Sequence, residues 1–241
     1  MQDVIPYIKD SFNFLKNNLI GIALVLLPFI VLFQGISLVL AQVSDDEKNN
    51  YILNILAIGL LVSPFYQASL VLYMKSIVNG EYWSPMQCYI GALKYWLPLI
   101  SLYILMGLAV FAGLMLLIVP GLVLIVRLTF AEFICVLDGK RSQEAFVSSI
   151  KETEPYQWLL FKGLLLLFVL VRLPAMVVVE LFDKWQISNI VLSTLGGAVY
   201  TIISTVFTIF LFRVYTLHKS QGKKTEPATE VEQIDDDRED M

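Results

Sequence analysis

The sequence predicts an all-α membrane protein with six transmembrane helices arranged as three hairpins, each preceded by a short cytoplasmic amphipathic helix. Three observations carry this expectation. Hydrophobic residues fill 57% of 241 positions and the mean hydropathy is +0.72, above the roughly 45–50% apolar share of soluble domains. The apolar residues fall in runs of the length a bilayer requires, about 20 residues at 1.5 Å each for a core of about 30 Å. Lysine and arginine, finally, divide unevenly between the two sides of those runs.

Residues 1–18 read as a cytoplasmic amphipathic segment. MQDVIPYIKDSFNFLKNNL mixes Asp3 and Asp10 with Lys9 and Lys16. It carries no small-residue cleavage site after a short apolar stretch, so the first span is expected to be an uncleaved anchor.

The transmembrane domain covers residues 19–218, with spans at about 19–43, 51–74, 95–119, 120–137, 158–180 and 188–212. Four spans are free of formal charge. The other two carry Arg127 and Glu132 (120–137) and Lys162, Arg172 and the terminal Glu180 (158–180). No polar residue marks the boundary between the third and fourth spans in LLIVPGLVL. The chain from Lys94 to Lys140 would reach about 69 Å as helix, which suits two crossings joined at Pro120-Gly121.

Orientation follows the placement of basic residues. With the N-terminus inside, thirteen of the 17 lysines and arginines lie in cytoplasmic segments or span ends, and the outer loops hold only Lys48 and Lys184. Both termini are therefore expected on the cytoplasmic side.

Three stretches lead into the outward-going spans: IPYIKDSFNFLKNN, SPMQCYIGALKYW and SQEAFVSSIKETEPYQW. The second and third follow related turns, IVNGEYWS and VLDGKRS. In each turn a glycine ends one helix and Ser84 or Ser142 is placed to cap the next, with Pro85 at the first helical position. This pattern supports an internal repeat, although amphipathic cytoplasmic loops are also general in multispan proteins. Residues 219–241 hold eight acids against four bases while residues 1–218 are balanced, so the net charge of -4 belongs to the tail. That tail is predicted to be disordered and solvated.

The sequence offers no nucleotide loop, no metal-ligand cluster and no nucleophile beside a base. We expect no catalytic residue, no cofactor and no bound metal. Cys88 and Cys135 lack CxxC spacing and read as reduced packing residues. His218 stands alone past the last span. The tryptophans Trp83, Trp96, Trp158 and Trp185 read as interfacial anchors. The expected partners are the lipid bilayer and other membrane proteins or anionic lipids, and nucleic acid is not among them.

An ionisable side chain near the bilayer centre costs about 2.5–3.5 kcal/mol on insertion scales, so each such group needs a partner. Counting 1.5 Å per residue from the cytoplasmic ends places Glu132 at about 8 Å and Lys162 at about 6 Å, where they are expected to pair. The same ruler puts Arg127 at about 15 Å and Arg172 at about 21 Å. Pro64 and Pro174 free carbonyls in that layer, which also holds Ser63, Tyr66, Gln67, Tyr200, Thr201 and Ser204. Two readings follow. In one, Arg127 and Arg172 form an intramembrane pocket for an anionic or phosphate-bearing ligand. In the other, carbonyls satisfy Arg127 while Arg172 extends toward Glu180 and the interface.

VPGLVLIVRLTFAEFICVLDGKRSQEAFVSSIKET resembles the YciC family of uncharacterised bacterial inner-membrane proteins. The shared elements are Val119-Pro120-Gly121, Asp138 with Lys140, and Ser148-Ser149, and the ending FLFRVYTLHKSQ is similar over Phe210 to Tyr215. The same Pro-Gly region resembles the membrane domain that precedes some glycerophosphodiester phosphodiesterases, but here no phosphodiesterase domain follows. The resemblance implies a multi-pass fold in a bacterial cytoplasmic membrane and supplies no reaction. The leading expectation is a non-enzymatic membrane protein supporting envelope organisation or membrane-protein assembly. The alternative is a transporter or lipid-handling protein built around Arg127 and Arg172.

Overall fold

The structure, a computed structural model, describes residues 3–40, 48–184 and 190–225. Residues 1–2, 41–47 and 185–189, with Trp185, and the acidic residues 226–241 lie outside the described residues. Those described are helical, without a strand. In chain order the helices are α1 (Ile5–Asn17), α2 (Leu19–Leu40), α3 (Lys48–Asn79), α4 (Pro85–Leu116), α5 (Ile118–Arg127) and α6 (Ala131–Leu137). They continue with α7 (Ser142–Glu152), α8 (Gln157–Leu167), α9 (Leu173–Lys184) and α10 (Ile190–Thr225). Six stretches are long and apolar enough to cross a membrane: Leu19–Ile36, Ala57–Asn79, Pro85–Leu116, Ile118–Leu137, Glu154–Val178 and Thr194–Ser220.

Local chemistry explains the joints. Asn18 ends α1 by donating both its backbone N–H and its side-chain Nδ2 to the Phe14 carbonyl, and α2 starts at the next residue. Gly80 turns the chain after α3 with φ +74, a conformation that needs no Cβ. Ser84 then caps α4 in a reciprocal box: its side chain accepts from the Gln87 N–H while Gln87 Oε1 accepts from the Ser84 N–H at 2.8 Å. Pro85 fills the first helical position, as the sequence predicts.

Two expected joints differ. The expected turn at Pro120-Gly121 falls instead at Leu117, which is extended (φ -162, ψ 146) between α4 and α5. Pro120 sits in the first turn of α5, where its missing N–H removes no helical bond. Gly121 serves the packing of α5 back onto α4, since a Cβ there would lie 2.9 Å from the Leu114 backbone nitrogen. Ser142 does not cap α7. Arg141 holds that position, and the Ser142 hydroxyl donates to the Pro98 carbonyl of α4 at 2.7 Å. With α7 packed on α4, a tertiary acceptor replaces the local one. Of the three expected amphipathic segments, α1 and α7 are separate helices, whereas the second forms the opening turns of α4.

The core is concentrated toward one end. Buried residues of α2 fall in its first half (Ile22, Val25, Leu26, Phe29). Those of α3 run from Ala68 to Met74, and those of α10 include Val206, Phe210, Phe212 and Tyr215. Away from this end Val31, Leu61, Leu195 and Val199 are exposed, as are Leu114 to Val119 around the α4–α5 break. Exposed apolar side chains are no liability in hydrocarbon, where lipid tails solvate them as well as another leucine would. Charged contacts reinforce the packed end. Arg213 of α10 reaches Asp10 of α1 at 3.1 Å and lies 4.8 Å over the Phe14 ring. Gly163 of α8 lets α10 approach so closely that a Cβ would meet Phe210 Cζ at 2.1 Å. Beyond α8 the chain passes through a π-helical turn, Phe168–Arg172, into α9, with Pro174 two residues on. Proline and π turns are two recognised causes of such irregularity.

Candidate functional site

Two polar centres lie within or beside the packed core. The first forms where α5 breaks into α6. There the Arg127 carbonyl accepts from the Ser149 hydroxyl at 2.7 Å, and the Thr153 hydroxyl lies 3.0 Å from it while donating at 2.6 Å to the Ser149 carbonyl. Both side chains are fully buried, so the carbonyl is satisfied where water cannot reach it. The guanidinium faces the start of α8, donating from Nη2 to Gln157 Oε1 at 3.3 Å. Its Nε is buried without a hydrogen-bond partner among the described residues.

The second centre joins the ends of α6, α7 and α10. Lys219 Nζ lies 2.7 Å from Asp138 and 3.3 Å from Glu152. Glu152 also meets Lys140 at 3.6 Å and His218 Nε2 at 3.5 Å. Lys140 donates to the Ser148 hydroxyl at 3.1 Å. The buried Tyr215 hydroxyl faces Asp138, and the Phe130 and Tyr156 rings flank His218 with centroids 6.3 and 5.5 Å away. Two carboxylates thus sit among two ammonium groups and an imidazole. From the sequence, His218 stands alone, Asp138 lies in the VLDGKRS turn, Glu152 in the third amphipathic stretch and Lys219 at the start of the tail. Only the Asp138 and Lys140 pair in the VLDGKRS turn signalled this centre.

The residues predicted to share a midplane layer are brought together only in part, Arg172 with Tyr200 and Tyr66 with Thr201. Arg172 is exposed and stands 5.4 Å over the Tyr200 ring. Arg127 and Arg172 have different partners. Gln157 and Arg172 are fifteen positions apart on one helical path, roughly 20 Å. Ser63 donates to the Gly59 carbonyl, Thr201 to Gly197 and Ser204 to Thr201, all bonds within a helix that leave those hydroxyls without a cross-helix donor role. Near Pro64, the Leu61 carbonyl accepts from Trp96 Nε1 at 2.7 Å, so that tryptophan ties α4 to α3. Gln67 Oε1 and the Tyr200 hydroxyl are buried without hydrogen-bond partners among the described residues. Tyr66 and Thr201, with Gln34 and Phe33, line a cavity of about 160 Å³.

The expected pairing of Glu132 with Lys162 does not occur. Glu132 is met by the Tyr103 hydroxyl of α4, while Lys162 is exposed on α8. Depth counted along each helix matched the two residues, but α4 packs on α6 and its Tyr103 takes the place beside Glu132. Cys88 and Cys135 are free and buried. Among the described residues no group of three histidine, cysteine or acidic side chains is placed to hold a metal ion.

Compared with known protein families, with curated proteins and with solved structures, the chain matches none. The fold and the polar centres therefore define a class, an all-helical chain with six helices able to cross a membrane, and no identity beyond it.

Proposed function

We propose that this chain is a multi-pass protein of a bacterial cytoplasmic membrane, with both termini cytoplasmic, that supports envelope organisation or membrane-protein assembly without catalysing a reaction. In this reading its plan is three hairpins preceded by interfacial helices, in keeping with the YciC resemblance. One observation carries it. Four ion pairs gather at one end of the bundle, where Asp138, Glu152, Lys140, Lys219 and His218 fix α6, α7 and α10 to one another. Such a rigid, polar platform suits holding a partner at the inner membrane surface. A central translocation pocket shared by Arg127 and Arg172 has less support, since each guanidinium has its own separate partner.

The test is site-specific photo-crosslinking in native membranes from Glu144 and Val147, which are exposed on α7. A recurrent protein adduct at these positions is expected. Adducts to lipid alone from both positions would contradict the assembly role.

A further inference from the structure

We propose that the groove between the last turns of α3 and residues 212–220 of α10 binds a phosphate-bearing headgroup, supplied by an anionic phospholipid of the adjoining leaflet. Lys75, Val78 and Asn79 stand at i, i+3 and i+4, and so share one face of α3. Phe212, Thr216 and Lys219 share a face of α10 by the same spacing. Between the two faces lies a cavity of about 430 Å³, closed below by Leu137 and Asp138 at the end of α6. That volume falls within the roughly 300–1,000 Å³ of small-molecule sites.

The charge balance of the groove selects an anion. Asp138, its carboxylate, is already neutralised by Lys219 at 2.7 Å. Lys219 itself is shared between Asp138 and Glu152, which leaves one of its three ammonium protons uncommitted. Lys75 is half-buried and has no ion-pair partner among the described residues. The Thr216 hydroxyl already donates to the Arg213 carbonyl of its own helix. The available donors are therefore Lys75, the Asn79 amide and the remaining Lys219 proton, a set suited to phosphate oxygens. Val78, Leu137 and Phe212 supply an apolar bed beside them, which a water-soluble phosphate would leave unused.

Position favours the lipid source. On α3 the apolar run gives way to Lys75 and Asn79, and on α10 it gives way to Arg213, His218 and Lys219, so the groove opens where polar headgroups would begin. The inference rests on membrane embedding alone and is independent of the assembly role.

Native mass spectrometry of the full-length protein in detergent tests it, with phosphatidylglycerol and phosphatidylcholine titrated separately. Lys75→Ala should weaken phosphatidylglycerol retention about fivefold, the effect of one lysine near an anionic surface. Lys75→Arg should retain it, and phosphatidylcholine binding should not respond to either change. Equal phosphatidylglycerol retention by the parent protein and a folded Lys75→Ala variant overturns the site. If glycerol 3-phosphate binds with the same Lys75 dependence and displaces the lipid, the source is aqueous and the lipid assignment fails. A photoactivatable phosphatidylglycerol gives a readout on the unaltered chain: labels are expected at the ends of α3 and α10, and their absence there also overturns the proposal.

Discussion

The ammonium of Lys219 lies 2.7 Å from the Asp138 carboxylate, joining the end of α10 to the end of α6 across 81 positions of sequence. Glu152 of α7 completes the tie at 3.3 Å from the same ammonium. Glu152 faces three basic groups and Asp138 one, so the two carboxylates should respond differently to neutralisation. Glu152→Gln should cost about 1–2 kcal/mol and Asp138→Asn at most about 1 kcal/mol, since exposed pairs contribute only 0.2–1 kcal/mol each. Thermal unfolding in detergent reads both, and the reverse order would refute the role given to Glu152.

The Arg127 carbonyl takes its proton from Ser149 at 2.7 Å, with the Thr153 hydroxyl 3.0 Å away and able to turn to it when that donor is lost. Thr153→Val and Ser149→Ala should each cost about 1 kcal/mol. The double variant should cost more than their sum, because it strands the acceptor in the core. A strictly additive pair would show that the carbonyl finds another donor.

Gly163 sits where a Cβ would strike Phe210. Gly163→Ala should destabilise by about 1–3 kcal/mol through overpacking, and adding Phe210→Leu should recover much of the loss. If Gly163→Ala is neutral alone, α8 and α10 do not approach as described.

Glu132 is held by Tyr103 and is not paired with Lys162. Double-variant cycles separate the two arrangements: Glu132→Gln with Tyr103→Phe should be coupled, whereas Glu132→Gln with Lys162→Met should add within about 0.5 kcal/mol. A strong coupling to Lys162 would restore the pairing that depth alone suggests.

The Glu132 case also marks how far the sequence could be read. Length and hydropathy locate the crossing helices because a bilayer fixes how many residues a span needs, and Ser84 with Gln87 is a cap readable from four consecutive letters. Depth along a helix, however, does not reveal which neighbour it faces, so Glu132 and Lys162 could be matched in level and missed in direction. The α4–α5 break eluded the same reading because Leu117 is as apolar as its neighbours. The Asp138, Glu152 and Lys219 centre draws on a turn, a short helix and the residues after the last expected span. Each reads locally as a solvated polar group, and only tertiary packing brings them together. The α10 helix also runs through Thr225, so Lys219, the first residue of the expected tail, lies on the same helix as His218.

The most direct test of the six-crossing arrangement is a topology reporter inserted after Leu117, at the break between α4 and α5. The account predicts an extracytoplasmic signal there, with a fusion after Ser220 reading cytoplasmic. A cytoplasmic signal at Leu117 would mean that α4 and α5 do not each cross the bilayer, and the arrangement would have to be abandoned.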